Sequence, residues 1–271
     1  MRGKAGADLF GRLFAIDERD NAFRARSILA RAHPPESPYR FFHVGFPMHQ
    51  RGPQAVAYAL AAYRQIITGS AGDPDATHRA AHAADPWAGV PHEGTTIHAG
   101  LKVMQAEGVI TGYVWSRDAG EVVDWLLLHG PVVVGSVWTQ AMMDAPAGDD
   151  PLVIGDLTDP ENVMGNHCYL LIGYSDRLGA VRLLNSWGRG WGENGRAWVK
   201  VDDLQRLLDE ATGQACMPIA PDLGIQAVRI ESNEPLWTAP PQAAAYGGGE
   251  VPRPQYVNGP QEPAHDATEP L

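Results

Sequence analysis

A chain of 271 residues with 44% hydrophobic content can bury one sizeable domain, or two small subdomains about a shared cleft. Its net charge of −11 comes without any Lys/Arg run that would track phosphates, which argues against a nucleic-acid partner. Two cysteines, no signal-peptide-like start and no apolar run of bilayer length argue against a secreted disulfide scaffold and a membrane anchor, and for a cytoplasmic setting or a particle assembled there.

Residues 1–40 read as an irregular leader that lies along the domain, with Pro-rich breaks. In residues 52–68, Pro53 suits the first turn of a helix. The rest is apolar on almost every face until Arg64, the pattern of a buried helix. Residues 69–91 read as a polar loop. His78, His82 and His92 are dispersed, with no Cys or acid at ligand spacing, so they read as solvated and no metal or cofactor is expected. Thr95 or Thr96 can cap a helix that Gly108 ends. A second helix is expected over 119–128, and Gly130-Pro131 then punctuates ahead of a strand over 132–138.

A loop rich in Asp, Pro and Gly fills 139–164. Gly165-Asn166-His167-Cys168-Tyr169-Leu170-Leu171-Ile172 reads as a buried strand led in by His167. Arg182-Leu183-Leu184-Asn185 is another apolar strand, ending in Asn185 and running into a Gly/Trp loop. If the two strands are neighbours, His167 and Asn185 meet at one end of the sheet. The amide oxygen then holds one ring nitrogen and leaves the other for chemistry. Cys168 follows His167 on the strand, so it points to the opposite face and reads as buried; Cys216 reads as buried too. A strand over 197–201 and a short helix over 202–209 follow. The composition shifts from about Pro218, and 235–271 is Pro/Gly/Gln-rich, unable to hold a fold alone. The expected organisation is a leader 1–40, a domain 41–218 and a tail 219–271 that contacts a partner protein.

The Gly165-x-His167 strand and the run Asn185-Ser186-Trp187-Gly188-Arg189-Gly190-Trp191-Gly192-Glu193-Asn194-Gly195 resemble the papain/cathepsin family of cysteine peptidases. The resemblance covers roughly residues 8–217. It implies an α+β, papain-like two-subdomain fold, in which a helical half built on 53–68 faces a barrel-like antiparallel sheet. The cleft between them would place residue 55 against His167. The resemblance also implies roles: His167 as general base, Asn185 as its orienter, Gln50 as an oxyanion donor, Trp187 as the indole shielding the Asn–His bond. Gly94 would lend its backbone to a peptide ligand. The leader is shorter than the long inhibitory pro-segment of many such enzymes.

The match breaks at the nucleophile. Bacterial and phage relatives carry Thr-Pro-Gln-Cys-Val-Gly-Tyr-Ala where this chain reads Gly52-Pro53-Gln54-Ala55-Val56-Ala57-Tyr58-Ala59. That alignment puts Ala55 at the nucleophile position; a fixed count from Gln50 would give Val56, and neither side chain can attack a carbonyl. Two readings stand. One is a natural pseudoprotease that binds peptide or serves as an assembly component, for instance of a phage particle. The other is an active peptidase whose cysteine was replaced by alanine. A transglutaminase- or amidase-like acyl transferase would equally need a cysteine, and the Asn-Ser-Trp-Gly loop points away from it.

Overall fold

The computed structural model describes residues 10–15, 24–29, 39–45, 47–87 and 92–221. In chain order the elements are β1 (Arg12–Leu13), α1 (Arg26–Leu29), β2 (Tyr39–Phe41), α2 (Ala55–Thr68), α3 (Pro74–Ala84), β3 (Thr95–Thr96), α4 (Ile97–Ala106), β4 (Gly112–Ser116), α5 (Ala119–Leu128), β5 (Val132–Thr139), β6 (Val163–Ser175), β7 (Ala180–Leu184), β8 (Arg196–Lys200), α6 (Val201–Asp209) and β9 (Gln214–Ile219). The tail beyond Pro221, with the partner contact expected of it, lies outside the described residues.

A seven-stranded sheet runs β4-β9-β5-β6-β7-β8, with β2 pairing to β6, and each of these pairings is antiparallel. Strand parity divides the core in two. Val132, Val134, Tyr169 and Leu171 face a cluster closed by Trp125 and Leu126 of α5 and by Leu204, Leu207 and Leu208 of α6. Val133, Cys168, Leu170 and Cys216 face the other, with Val56 and Leu60 of α2 and Ile97, Leu101 and Met104 of α4. Because both faces of the central strands are covered, those strands read as unbroken apolar runs rather than alternating ones.

The helices follow their local chemistry. Ala55 through Tyr63 of α2 are all buried, and Gly69 stops the helix in the left-handed region at φ 79°. Pro53 lies ahead of the helix and is not in its first turn, which begins at Ala55. The side chains of Asp118 and Thr96 cap α5 and α4. The expected polar loop over 69–91 contains a helix instead. Asp73 accepts from the N–H groups of Asp75 and Ala76 and Pro74 opens α3, an Asp-Pro start that outweighs the weak apolar pattern behind it.

Five strands were not anticipated from the sequence: β1, β2, β3, β4 and β9. β9 inserts between β4 and β5 and carries the sheet past Pro218 to Ile219. Pro218 obscures it, since a proline argues against a central strand; its carbonyl accepts a hydrogen bond from the Tyr63 hydroxyl at 3.2 Å.

Candidate active site

β6 and β7 pair with Leu170 opposite Leu184, so His167 lies before the paired stretch and Asn185 just after it, at the same end. His167 Nε2 sits 2.8 Å from Asn185 Oδ1, and both residues are buried. That oxygen can only accept, and it also accepts from the Ser186 N–H at 2.7 Å. The imidazole therefore carries its proton on Nε2, and Nδ1 has no partner among the described residues. Aromatic rings enclose it: Trp138 at 4.8 Å, Trp187 at 5.1 Å and Phe10 at 5.8 Å between centroids. Burial pulls its pKa down to about 4, with the Asn185 hydrogen bond acting against that shift and the Arg12 charge acting with it.

This depression has a consequence for acid stability. The unfolded chain takes up a proton here below about pH 6.5, and the folded chain does not until about pH 4. The stability from neutral His167 is thus fully present above that window and is lost as pH falls through it. Burial lowers His78 and His129 in the same direction. Denaturation midpoints should drop between pH 7 and pH 5, and an NMR titration should place the His167 midpoint well below the ordinary value. A ring titrating near 6.5 would contradict the buried, neutral state.

Gln50 comes to the site from the segment before α2. Its backbone N–H donates to Ser186 O at 2.8 Å, its Oε1 accepts from Ser186 Oγ at 2.6 Å, and Gly188 N–H donates to Met48 O at 2.9 Å. His49 and Trp187 form a β-bridge between the same segments. Held this way, Gln50 Nε2 donates to Gly52 O at 2.8 Å and to Phe10 O at 3.3 Å. The N–H of Ala55, first residue of α2, donates to the same Phe10 oxygen at 3.2 Å. One peptide carbonyl of the leader thus receives Gln50 Nε2, the donor that the resemblance implied for an oxyanion, together with the Ala55 N–H at the positive end of a helix.

Residues 10–13 of the leader therefore lie in the cleft. β1 pairs in parallel with β3, and the Thr95 N–H donates to Gly11 O at 3.1 Å. The fit demands glycine on both sides. A Cβ at Gly11, where φ is +90°, would lie 1.9 Å from Pro53 O, and a Cβ at Gly94 would lie 2.3 Å from Gly11 O. The N–H of Thr95, next to Gly94, makes the backbone bond.

Ala55 is fully buried and carries a methyl group. Val56 points elsewhere, toward α4, where a Cβ on Gly100 would come within 3.1 Å of its Cγ1. Cys168 and Cys216 form no disulfide and are buried in the α2 side of the core, and burial pushes the Cys168 thiol up to about 12, so it is no substitute nucleophile. The His92 side chain is not solvated, and His78 and His82 are half-buried. His92 Nε2 lies 2.9 Å from Asp85 Oδ2 with both side chains fully buried, and His82 stacks on His92 at 3.9 Å. Asp85 also accepts from Thr95 Oγ1 at 3.1 Å, so this group ties the end of α3 to β3.

Sequence reasoning missed Arg12, Ser186, Trp138 and Gly135. The one available signal was Gly135, a glycine interrupting a run of valines.

Among the described residues no helix is long and apolar enough to cross a membrane. No protein-family model matches the chain, and no curated protein matches it. Solved structures do. Xylellain, a cysteine protease from Xylella fastidiosa, is similar with a TM-score of 0.60 at 17% identity, over 81% of this chain and 99% of that one. A digestive procathepsin L2 proteinase from Tenebrio molitor larval midgut gives 0.57 at 16%, over 81% and 80%. A procathepsin B from Trypanosoma congolense gives 0.54 at 12%, over 81% and 90%. The large antiparallel sheet with α2 and α4 on one face and α5 and α6 on the other, and His167 and Asn185 meeting at one strand end, make this a papain-like two-subdomain α+β fold.

Proposed function

We propose that this chain is a papain-type peptide-binding protein that keeps the recognition parts of a cysteine peptidase without its covalent step. Ala55 holds the nucleophile position, Gln50 and the Ala55 N–H form the carbonyl-binding pair, and His167 with Asn185 forms the base pair. Gly94 and Trp187 line the peptide site. The reading rests on one observation: the Phe10 carbonyl accepts from both Ala55 N–H and Gln50 Nε2 beside a methyl group that cannot attack it. A pocket that polarises a carbonyl and supplies no nucleophile binds peptide and releases it intact. Such a protein serves as a natural pseudoprotease, an adaptor or part of an assembled particle such as a phage virion.

Loss of a peptidase nucleophile costs on the order of a million-fold in rate. A broad peptide library incubated with the chain should stay uncut by mass spectrometry while some members are retained on the protein. Cleavage at a papain-like rate without any thiol would overturn the proposal. The intact set of Gln50, His167 and Asn185 favours a second reading, an active peptidase whose cysteine at 55 was replaced by alanine. The genomic codon at position 55 separates the two.

A further inference from the structure

We propose that the cleft is an arginine-selective peptide site, with a guanidinium pocket formed by Gly135, Gln214 and the Thr212 carbonyl, and that its ligand in trans is an extended segment of the type Phe-Gly-Arg. This rests on the peptide-binding reading above and names the ligand class.

The chain's own leader shows the fit. Arg12 is 3% exposed. Its Nη2 donates to Thr212 O at 2.6 Å and to Gln214 Oε1 at 2.5 Å. Thr212 is itself fixed, since its hydroxyl donates to Asn166 Oδ1 at 2.7 Å. The floor of the pocket is Gly135. Its backbone is not left-handed, so conformation does not ask for glycine there. Space does: a Cβ at 135 would lie 2.0 Å from Arg12 Nε and 2.3 Å from Cζ. A glycine inside a buried strand gives up packing and chain stiffness, and close approach of another group is the usual reason to find one. The Arg12 guanidinium also lies 5.5 Å from the centre of the Phe14 ring, so the residue two places on helps to shape the side chain.

The pocket discriminates by reach. A lysine nitrogen falls one bond short of the Nη2 position, and methionine presents no donor to the two acceptors. The same pocket leaves its present occupant incompletely satisfied. Both acceptors are uncharged, and Arg12 Nε and Nη1 have no partner among the described residues. Burial without a facing anion lowers the Arg12 pKa to about 10. A segment held on these terms can give way to a peptide from elsewhere.

The test uses the full chain carrying Gly11→Val, which cannot seat its own leader against Pro53, and fluorescein-labelled Phe-Gly-Arg-Leu-Phe. Polarisation titrations compare it with peptides in which Arg is replaced by Lys or Met. The arginine peptide should bind about tenfold or more tighter than each of the others, as expected for a charge-assisted bond kept or lost. It should bind more weakly to the unaltered chain, whose leader competes. Adding Gln214→Leu should erase the arginine preference and leave binding of the Met peptide in place. Should Gly11→Val fail to fold, Arg12→Ala loosens the leader without a clash and supports the same comparison. Equal binding of all peptides overturns the guanidinium pocket and leaves the peptide-binding reading standing. Binding of none, to either variant, overturns both.

Discussion

Placing a sulfur on residue 55 should convert this chain into a peptidase. Ala55→Cys adds one atom at the start of α2, where the residue's own N–H and Gln50 Nε2 already converge on a carbonyl oxygen. His167 presents an unprotonated, unpartnered Nδ1, the state a general base must be in to accept a thiol proton. The helix terminus favours a thiolate. The expected gain in peptide hydrolysis is on the order of 10⁴- to 10⁶-fold over the unaltered chain, the scale on which nucleophile loss is felt. The leader should throttle it, so Ala55→Cys combined with Gly11→Val should turn over added peptides faster than Ala55→Cys alone. The assay is quenched-fluorescence peptide cleavage with and without a thiol-alkylating reagent. If both thiol-bearing chains fold by circular dichroism and remain inert, the roles assigned to Gln50, His167 and Asn185 fail.

The largest effect on stability is expected at Trp138. The indole is fully buried at the end of β5 and packs on four other rings: His167 at 4.8 Å, Trp187 at 5.3 Å, Tyr169 at 5.7 Å and Trp191 at 5.8 Å. Trp138→Ala removes the hub of that cluster and leaves a void that its stiff neighbours fill poorly. A cost of about 3–5 kcal/mol is expected, or roughly 10 °C in Tm for a chain of this size. The same change lets water reach His167, so its pKa should climb from about 4 toward the ordinary histidine value. Urea denaturation together with an imidazole titration measures both. A loss below about 1 kcal/mol with an unmoved titration would show that the cluster is not what holds the imidazole dry.

What could be read in advance was whatever has a local signature. His167 and Asn185 were legible because strand parity and the Gly/Trp loop fix both positions within twenty residues of sequence. The helix over 119–128 was legible because Val122, Trp125 and Leu126 recur at helical spacing. α3 was misjudged because only Thr77 and Ala81 of its residues are fully buried, so its periodicity is faint while its Asp-Pro start is plain. The placement of residues 10–13 in the cleft was not legible. β1 and β3 pair over two residues each, too short for any period to show. Gly11 and Gly135 acquire their meaning only once Pro53 and Arg12 have been brought beside them from far along the chain. The burial of His92 against Asp85 escaped for the same reason: a polar segment reads as wet until its partners are known.

The reciprocal bonds between residues 48–50 and 186–188 constrain how the cleft can ever open. They stitch the strand-end loop of one half to the segment entering the main helix of the other, directly beneath the reacting position. A hinge through this point would have to unzip the ladder that aims the Gln50 amide, so the halves cannot part like jaws without dismantling the carbonyl cradle. Release of residues 10–13 would leave that ladder untouched, since β1 holds to β3 over two residue pairs and shares none of the bonds between 48–50 and 186–188.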